Sequence, residues 1–208
     1  LASTRQVRNP VMAKDDIWAA FDTITYQKGG AVLEMFEASI LPDRFREGVR
    51  LHIKTHAYGN AGMEDFVGAL SSASGDKSLV GAFTGFIEQP GVPLIDVKLD
   101  CGTAPTLLLQ QTRLQPAGSK MSAKESWSTP ACFTFAESGG GKQQTQCFNV
   151  PNGPSRVVLD NIKSCPDWVM GNAKGEGYYV ARYDSVLREQ LRQRAPGLPA
   201  TEAIALLS

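Results

Sequence analysis

The chain has 208 residues, of which 42% are hydrophobic and 20% charged, as in ordinary soluble globular proteins. Its 21 basic and 21 acidic residues give a formal net charge of zero. The sequence has no basic stripe, so a nucleic-acid partner is not predicted. Apolar runs are only a handful of residues long, whereas a membrane-spanning helix needs about 20. Neither a membrane span nor a signal peptide is therefore predicted in this stretch.

Apolar residues recur three and four positions apart in the first half of the chain, which predicts short amphipathic helices. Five are predicted: one opened by Asp15 and Asp16, one from about Tyr26 to Ile40, one starting at Pro42, one around Phe66–Leu70 and one around Leu79–Ile87. The inner face of the third is expected to carry Phe45, Val49, His52 and Ile53.

Gly29 and Gly30 stand near the start of the second predicted helix. Each costs about 1 kcal/mol in a helix relative to alanine. Such a cost predicts that the pair packs closely against a neighbouring backbone.

At Pro93 the period of the apolar residues changes from about 3.6 to 2, the period of a half-buried strand. Seven strands are predicted, around residues 95–99, 106–114, 127–135, 145–150, 156–159, 168–170 and 178–183. Regular turn signals between them are typical of a small β-sandwich. The triple glycine Gly139-Gly140-Gly141 is interpreted as a hairpin loop, because a strand follows it and a phosphate-binding loop precedes a helix. After Asp184 the pattern is helical again.

All four cysteines fall in the strand-rich half: Cys101, Cys132, Cys147 and Cys165. None forms a Cys-x-x-Cys pair, which argues against a zinc site of cysteine and histidine. Two interpretations stay open, namely two disulfides in an oxidising compartment and four buried thiols. If disulfides form, the preferred pairs are Cys132–Cys147 and Cys101–Cys165. Disulfides predict a periplasmic or secreted protein, with a cytoplasmic location as the alternative.

The stretch from Phe21 to Gly30 holds a tyrosine, a lysine and a glycine pair within five residues. It is followed, in order, by Phe45-Arg46-Glu47-Gly48, His56-Ala57-Tyr58-Gly59-Asn60-Ala61, Gln89-Pro90-Gly91-Val92-Pro93 and Gly177-Tyr178-Tyr179. In this order the motifs resemble the zinc aminopeptidases of the aminopeptidase N and leukotriene-hydrolase type, the gluzincins. The resemblance covers nearly the whole chain.

The resemblance implies an α+β multidomain fragment. Residues 1–92 would be the helical end of a thermolysin-like catalytic domain, 93–184 a β-sandwich domain, and 185–208 the start of a C-terminal helical domain. The family removes single residues from peptide N-termini, using one zinc held by a His-Glu-x-x-His helix and a downstream glutamate. A tyrosine ahead of a lysine-glycine pair donates a hydrogen bond to the tetrahedral intermediate, and Tyr26 stands in that place.

The chain departs from the family at the metal site. It has no His-Glu-x-x-His, since His52 and His56 enclose Ile53-Lys54-Thr55, and it has no Gly-x-Met-x-Asn strand. We therefore expect a fragment downstream of the zinc-binding motif, inactive and without zinc by itself, whose full-length parent is a zinc metallo-aminopeptidase acting on peptides. A fragment of a larger domain exposes apolar faces that the rest of the domain would cover, so self-association is predicted.

Other interpretations compete with this one. From spacing alone Tyr26 is a core tyrosine, and the resemblance reverses that preference. The acids Asp15 and Asp16 are interpreted as capping residues. A solvated helix face is predicted for Arg44, Arg46, Arg50 and Lys54, and a sandwich core for Trp127, Trp168, Tyr178 and Tyr179. The alternative function is a non-catalytic binding or scaffold protein with a helical subdomain and a β-sandwich.

Overall fold

The computed structural model describes residues 5–9, 12–14, 16–19, 22–119, 124–139 and 141–207. They form two compact units, residues 5–90 and residues 91–207, and each is considered by itself. Three residues named in the predictions, Asp15, Phe21 and Gly140, lie outside the described residues. None of the helices in the described ranges is both long and apolar enough to cross a membrane.

The first unit is helical. Its elements are α1 (Asp16–Ala19), a five-residue π-helical turn (Ile24–Lys28), α2 (Gly29–Ile40), α3 (Pro42–Thr55), α4 (Met63–Ser74) and α5 (Leu79–Glu88). The five predicted helices are confirmed, with two differences. The first is a single short turn, and the second begins with π-helical rather than α-helical geometry.

An aromatic cluster and one close helix crossing hold this unit together. The ring centroid of Phe36 lies 5.1 Å from that of Phe83 and 6.1 Å from that of Phe86. Where α3 crosses α4, a Cβ added to Gly48 would lie 2.8 Å from the Cα atom of Leu70. No side chain fits in that space, so glycine at this position lets the two backbones approach.

The predicted inner face of α3 is wrong at one residue. Phe45, Val49 and His52 are partly buried, but Ile53 is 63% exposed. The buried stripe is centred on Gly48, where α3 meets α4. At about 100° per residue, Ile53 lies about 140° around the helix from Gly48 and so faces away from the stripe.

The second unit contains seven strands, as predicted. They are β1 (Pro93–Asp100), β2 (Thr106–Arg113), β3 (Thr129–Glu137), β4 (Gln144–Val150), β5 (Gly153–Val158), β6 (Pro166–Met170) and β7 (Val180–Tyr183). One sheet has the order β5-β2-β1-β7 and the other the order β4-β3-β6. All neighbouring pairs are antiparallel except β1 and β7, which run parallel. β3 and β4, between which the triple glycine lies in sequence, are antiparallel neighbours.

A buried amide connects the two sheets. The Nε2 atom of Gln111 on β2 donates to the Trp127 carbonyl at 2.6 Å, and its Oε1 atom accepts from the Thr129 hydroxyl on β3. Because both ends of the amide are hydrogen-bonded, the polar group is buried at little cost. Trp127, Trp168 and Tyr179 are buried as predicted. Tyr178, which was also predicted in the core, is only partly buried.

Two further helices, α6 (Ser185–Arg194) and α7 (Ala200–Leu207), belong to the same unit. Asp184 caps α6, because its Oδ1 atom accepts from the backbone of Val186 at 3.1 Å and of Leu187 at 2.9 Å. The inner face of α6 reaches β6, where Leu191 packs in one cluster with Trp168.

Both preferred disulfides are present. Cys132 and Cys147 lie directly opposite each other in the β3–β4 pair, with Cα atoms 4.0 Å apart. Cys101 and Cys165 are joined with their Cα atoms 5.6 Å apart. The disulfide interpretation is confirmed, and the alternative of four buried thiols is wrong.

Candidate functional site

Tyr26 lies at the centre of the π-helical turn that leads into α2. The turn merges with α2 without a break, because Lys28 and Gly29 both have right-handed helical backbone angles. π-helical turns are rare, and many of those that occur lie at functional sites. There they change the direction of a side chain relative to the α-helix that follows. The sequence predicts a helix here and gives no sign of the π geometry.

The Tyr26 side chain is 64% exposed, so it is not a core tyrosine. Within the described part of the chain, its hydroxyl makes no hydrogen bond. The interpretation of Tyr26 as a buried residue with a satisfied hydroxyl is therefore wrong for this structure. A phenol in this position is free to donate to a group that approaches from outside the unit.

The π-helical turn is fixed at its start by Asp22. One carboxylate oxygen accepts the backbone N–H of Thr25 at 2.8 Å, and the other accepts from the Arg5 guanidinium at 2.9 Å. The Asp22 carbonyl also accepts the backbone N–H of Tyr26 at 3.2 Å. The Thr25 hydrogen bond, followed by that of Arg5, lowers the pKa of the Asp22 carboxyl to about 2. Asp22 is therefore a charged cap of this turn at neutral pH.

The same turn is fixed at its end by Lys28. The Lys28 side chain is buried, and its Nζ atom donates to the backbone carbonyl of Gln89 at 2.7 Å. Gln89 directly follows the last residue of α5, Glu88. The carbonyl end of a helix carries partial negative charge, which favours an ammonium group there. Lys28 thus ties the Tyr26 turn to the end of another helix.

The glycine pair that follows Lys28 does not have the predicted close packing. Among the described residues, a Cβ added to Gly29 would meet only the Val7 side chain, at an ordinary 3.9 Å, and a Cβ added to Gly30 would have no atom within 4 Å. The close backbone approach in this unit is at Gly48 instead. The prediction was wrong because the position of a glycine in a helix does not reveal which neighbour crosses it.

The two histidines lie on α3, away from any set of metal ligands. Their ring centroids are 5.2 Å apart, and the His52 ring packs edge-on against Phe66 at 5.3 Å. The His56 Nε2 atom lies 4.0 Å from an Asp65 carboxylate oxygen. Within the described ranges, no group of three or more histidine, cysteine, aspartate and glutamate side chains could hold a metal ion. His52 is half-buried in the last turn of α3, and His56 directly follows the helix.

The remaining candidates have structural roles. Asp16 accepts the backbone N–H groups of Met12 and Ala13 at 2.9 and 2.8 Å, so its carboxylate holds the residues before α1 and not the first N–H groups of the helix. The predicted solvated face of α3 is exposed throughout: Arg44, Arg46, Arg50 and Lys54. Two of these arginines form surface ion pairs within the helix.

Sequence reasoning did not assign roles to Asp22 or Lys28. The role of Asp22 has a sequence signal, because an aspartate often caps a helix by accepting the backbone N–H of the residue three positions later. No comparable signal exists for Lys28, because its acceptor is 61 residues away in sequence.

Comparison with known proteins gives relatives of one kind. Residues 1–85 match the family described as "Peptidase family M1 domain". The chain is 29% identical over 201 residues to Aminopeptidase M1-A of Oryza sativa subsp. japonica. The matched stretch covers 92% of this chain and 21% of that protein. It is 32% identical over 124 residues to Aminopeptidase N of Streptomyces lividans, covering 58% of this chain and 14% of that protein.

A third relative is Aminopeptidase A of Gloydius brevicauda, 29% identical over 185 residues, covering 88% of this chain and 19% of that protein. The chain thus spans about a fifth of the length of the curated relatives it matches.

Proposed function

We propose that this chain, whose residues 1–85 belong to peptidase family M1, is part of a zinc-dependent aminopeptidase that removes N-terminal residues from peptides. The relatives that carry the name aminopeptidase support this activity class. The order of the motifs along the chain supports it independently, since they extend beyond residue 85 to Gly177-Tyr178-Tyr179.

In this proposal Tyr26 donates a hydrogen bond to the tetrahedral intermediate of peptide hydrolysis. The observation that carries the assignment is the exposure of the phenol on a π-helical turn with its hydroxyl unused by the described residues. A donor directed at a developing oxyanion acts mainly in the transition state, and its loss typically costs about 2.7–4 kcal/mol. Tyr26 is therefore expected to affect the chemical step more than substrate binding.

The zinc of the family does not fit the residues described here, because they provide no group of ligands for it. Its ligands and the general base are assigned to other parts of the longer protein. We accordingly derive no step through the metal, and we expect the 208-residue chain alone to bind no zinc stoichiometrically and to be inactive. Activity of this chain on an aminoacyl reporter, with zinc in the sample, would contradict the proposal.

The domain assignment is part of the same proposal. Residues 1–92 would be the helical end of a thermolysin-like catalytic domain, 93–184 a β-sandwich domain and 185–208 the start of a C-terminal helical domain. The helical first unit and the two sheets of the second unit support the first two assignments, whereas α6 and α7 belong to the same compact unit as the strands. Exposed apolar side chains on short helices, such as Trp18 on α1 and Leu207 on α7, support self-association of the isolated chain.

We also propose a periplasmic or secreted location, with the cytoplasm as the alternative. The two disulfides support it, because disulfides persist mainly in oxidising compartments.

The test is Tyr26→Phe in the full-length protein. We expect kcat to fall roughly 100- to 1000-fold with KM changed by less than about threefold, at unchanged zinc content. Tyr58→Phe is the matched control, since Tyr58 is a fully exposed tyrosine of the same unit. Equal kcat values for Tyr26→Phe and the control would remove Tyr26 from the mechanism.

The coding sequence upstream of Leu1 discriminates between the enzyme and a non-catalytic scaffold. A His-Glu-x-x-His motif followed by a glutamate on the next helix supports the enzyme, because those residues form the zinc site. A full-length protein without that motif would favour the scaffold.

A further inference from the structure

We propose that Asp22 and Lys28 are positioning residues, which hold the π-helical turn at its two ends and so direct the Tyr26 hydroxyl toward the reacting group. This inference rests on the proposed function of Tyr26. It concerns residues that contact neither substrate nor metal and that act only through the backbone of residues 22–28.

The first anchor fixes where the turn begins. Asp22 holds the N–H of Thr25 with its side chain and the N–H of Tyr26 with its carbonyl. Two consecutive N–H groups at the start of the turn are thus bonded to one residue. The Arg5 guanidinium holds the carboxylate from the other side, so the Asp22 side chain cannot rotate without losing both partners.

The second anchor fixes where the turn ends. A buried ammonium group is costly unless it is hydrogen-bonded and favourably placed. Lys28 meets this requirement by reaching the carbonyl at the end of α5. α5 contributes Phe83 and Phe86 to the aromatic core of the unit. The hydrogen bond from Lys28 therefore attaches the π-helical turn to this core.

A π-helical turn needs such external contacts. Its hydrogen bonds span five residues rather than four, and longer π-helical stretches are rare because the geometry is unfavourable. Tyr26 is two residues from Lys28 and four from Asp22, so a change at either end rotates the phenol. A displacement of about 1 Å in an active site can cost about 100-fold in rate.

The experiment is a double-mutant cycle in the full-length protein. We expect Asp22→Ala and Lys28→Met each to lower kcat about 10- to 100-fold, with KM within about threefold of the wild type and zinc content unchanged. Added to Tyr26→Phe, each should lower kcat by less than about twofold, because residues that act through one group are not additive.

Each variant has a matched control from the same unit. Glu64→Ala also removes a carboxylate bound to an arginine, here Arg8 at 2.8 Å, and Lys54→Met removes an exposed lysine of α3. Both controls should leave kcat within about twofold of the wild type, since surface charges away from special features matter little.

The outcomes separate the two proposals. If Tyr26→Phe lowers kcat and the anchor substitutions lower it further by their full single-mutant factors, the positioning role is overturned while the role of Tyr26 stands. If Tyr26→Phe leaves kcat unchanged, both are overturned. Should Lys28→Met prevent folding, Asp22→Ala keeps the test decisive, because it removes the carboxylate that accepts from Thr25 and from Arg5. A kcat unchanged in Asp22→Ala would then overturn the inference.

Discussion

Tyrosines are used in opposite ways in the two units. In the helical unit Tyr26 and Tyr58 are exposed. In the strand-rich unit the Tyr179 hydroxyl donates to the Gly171 carbonyl at 2.8 Å, and the Tyr183 hydroxyl accepts the Gly171 N–H at 2.8 Å. The strand-rich unit thus uses Tyr179 and Tyr183 to hold the bend at Gly171, whereas the helical unit exposes both of its tyrosines.

The units also differ in how they are stabilised. The strand-rich unit carries both disulfides, and the helical unit has no cysteine and depends on aromatic packing and one close helix crossing. The strand-rich unit is therefore cross-linked covalently, whereas the helical unit is held by non-covalent packing. Four changes test this contrast.

The largest effect is expected from removing the Cys101–Cys165 disulfide. The bond closes a stretch with a sequence separation of 64, and the unfolded-chain entropy of such a loop corresponds to about 4 kcal/mol. Cys101→Ala with Cys165→Ala should lower the free energy of unfolding by that amount in urea denaturation of the 208-residue chain. The Cys132–Cys147 pair, with a separation of 15, is the comparison and should cost about 3 kcal/mol. Equal unfolding midpoints with and without a thiol reductant would contradict both values.

A smaller effect is expected at the helix crossing of the other unit. Gly48→Ala places a methyl group against the Leu70 backbone and should destabilise by about 1–3 kcal/mol. Gly30→Ala has open space and helical geometry, so it should stabilise by about 0.5–1 kcal/mol. Thermal melts of the two variants therefore move in opposite directions. A stabilising Gly48→Ala would mean that α3 and α4 do not approach closely there.

The tyrosine contrast itself can be measured as stability. Tyr179→Phe leaves the Gly171 carbonyl without its hydroxyl donor and should cost about 1 kcal/mol. Tyr26→Phe removes a hydroxyl with no hydrogen bond among the described residues and should change stability by less than about 0.5 kcal/mol. Chemical denaturation monitored by circular dichroism distinguishes them, and equal effects would break the contrast.

The smallest effect is a pH dependence. Burial raises the pKa of Tyr183 to about 12, and it also raises the pKa of Tyr179. Because the unfolded tyrosine ionises at a lower pH than the folded one, the unfolded state binds fewer protons above a pH of about 10, and stability falls as pH rises toward about 12. Tyr183→Phe should make this decline shallower in urea titrations between pH values of about 9 and about 11. An unchanged slope would show that Tyr183 ionises normally in the folded chain.

Much of the fold follows from local patterns. The change of apolar period at Pro93 separates helices from strands, because side-chain periodicity depends only on nearby residues. The errors involve distant partners. Ile53 is exposed because of where α4 crosses α3, and the role of Gly48 depends on Leu70.

The site was less predictable than the fold. Tyr26 is identified through a family resemblance, since its spacing alone favours a buried tyrosine. The π-helical turn and its anchors could not be predicted, because the hydrogen bond from Lys28 to Gln89 joins residues far apart in sequence. In our proposal, tertiary contacts rather than local preference set the direction of the Tyr26 side chain.

The parallel pairing of β1 with β7 has a consequence for synthesis. The contact between Asp96 and Arg182 joins residues 86 positions apart. During translation, one edge of β1 therefore stays without its partner strand until nearly the whole of this chain has left the ribosome. Non-local pairings of this kind slow folding, and an open strand edge invites aggregation in the meantime. We expect nascent chains that stop before β7 to be the aggregation-prone species.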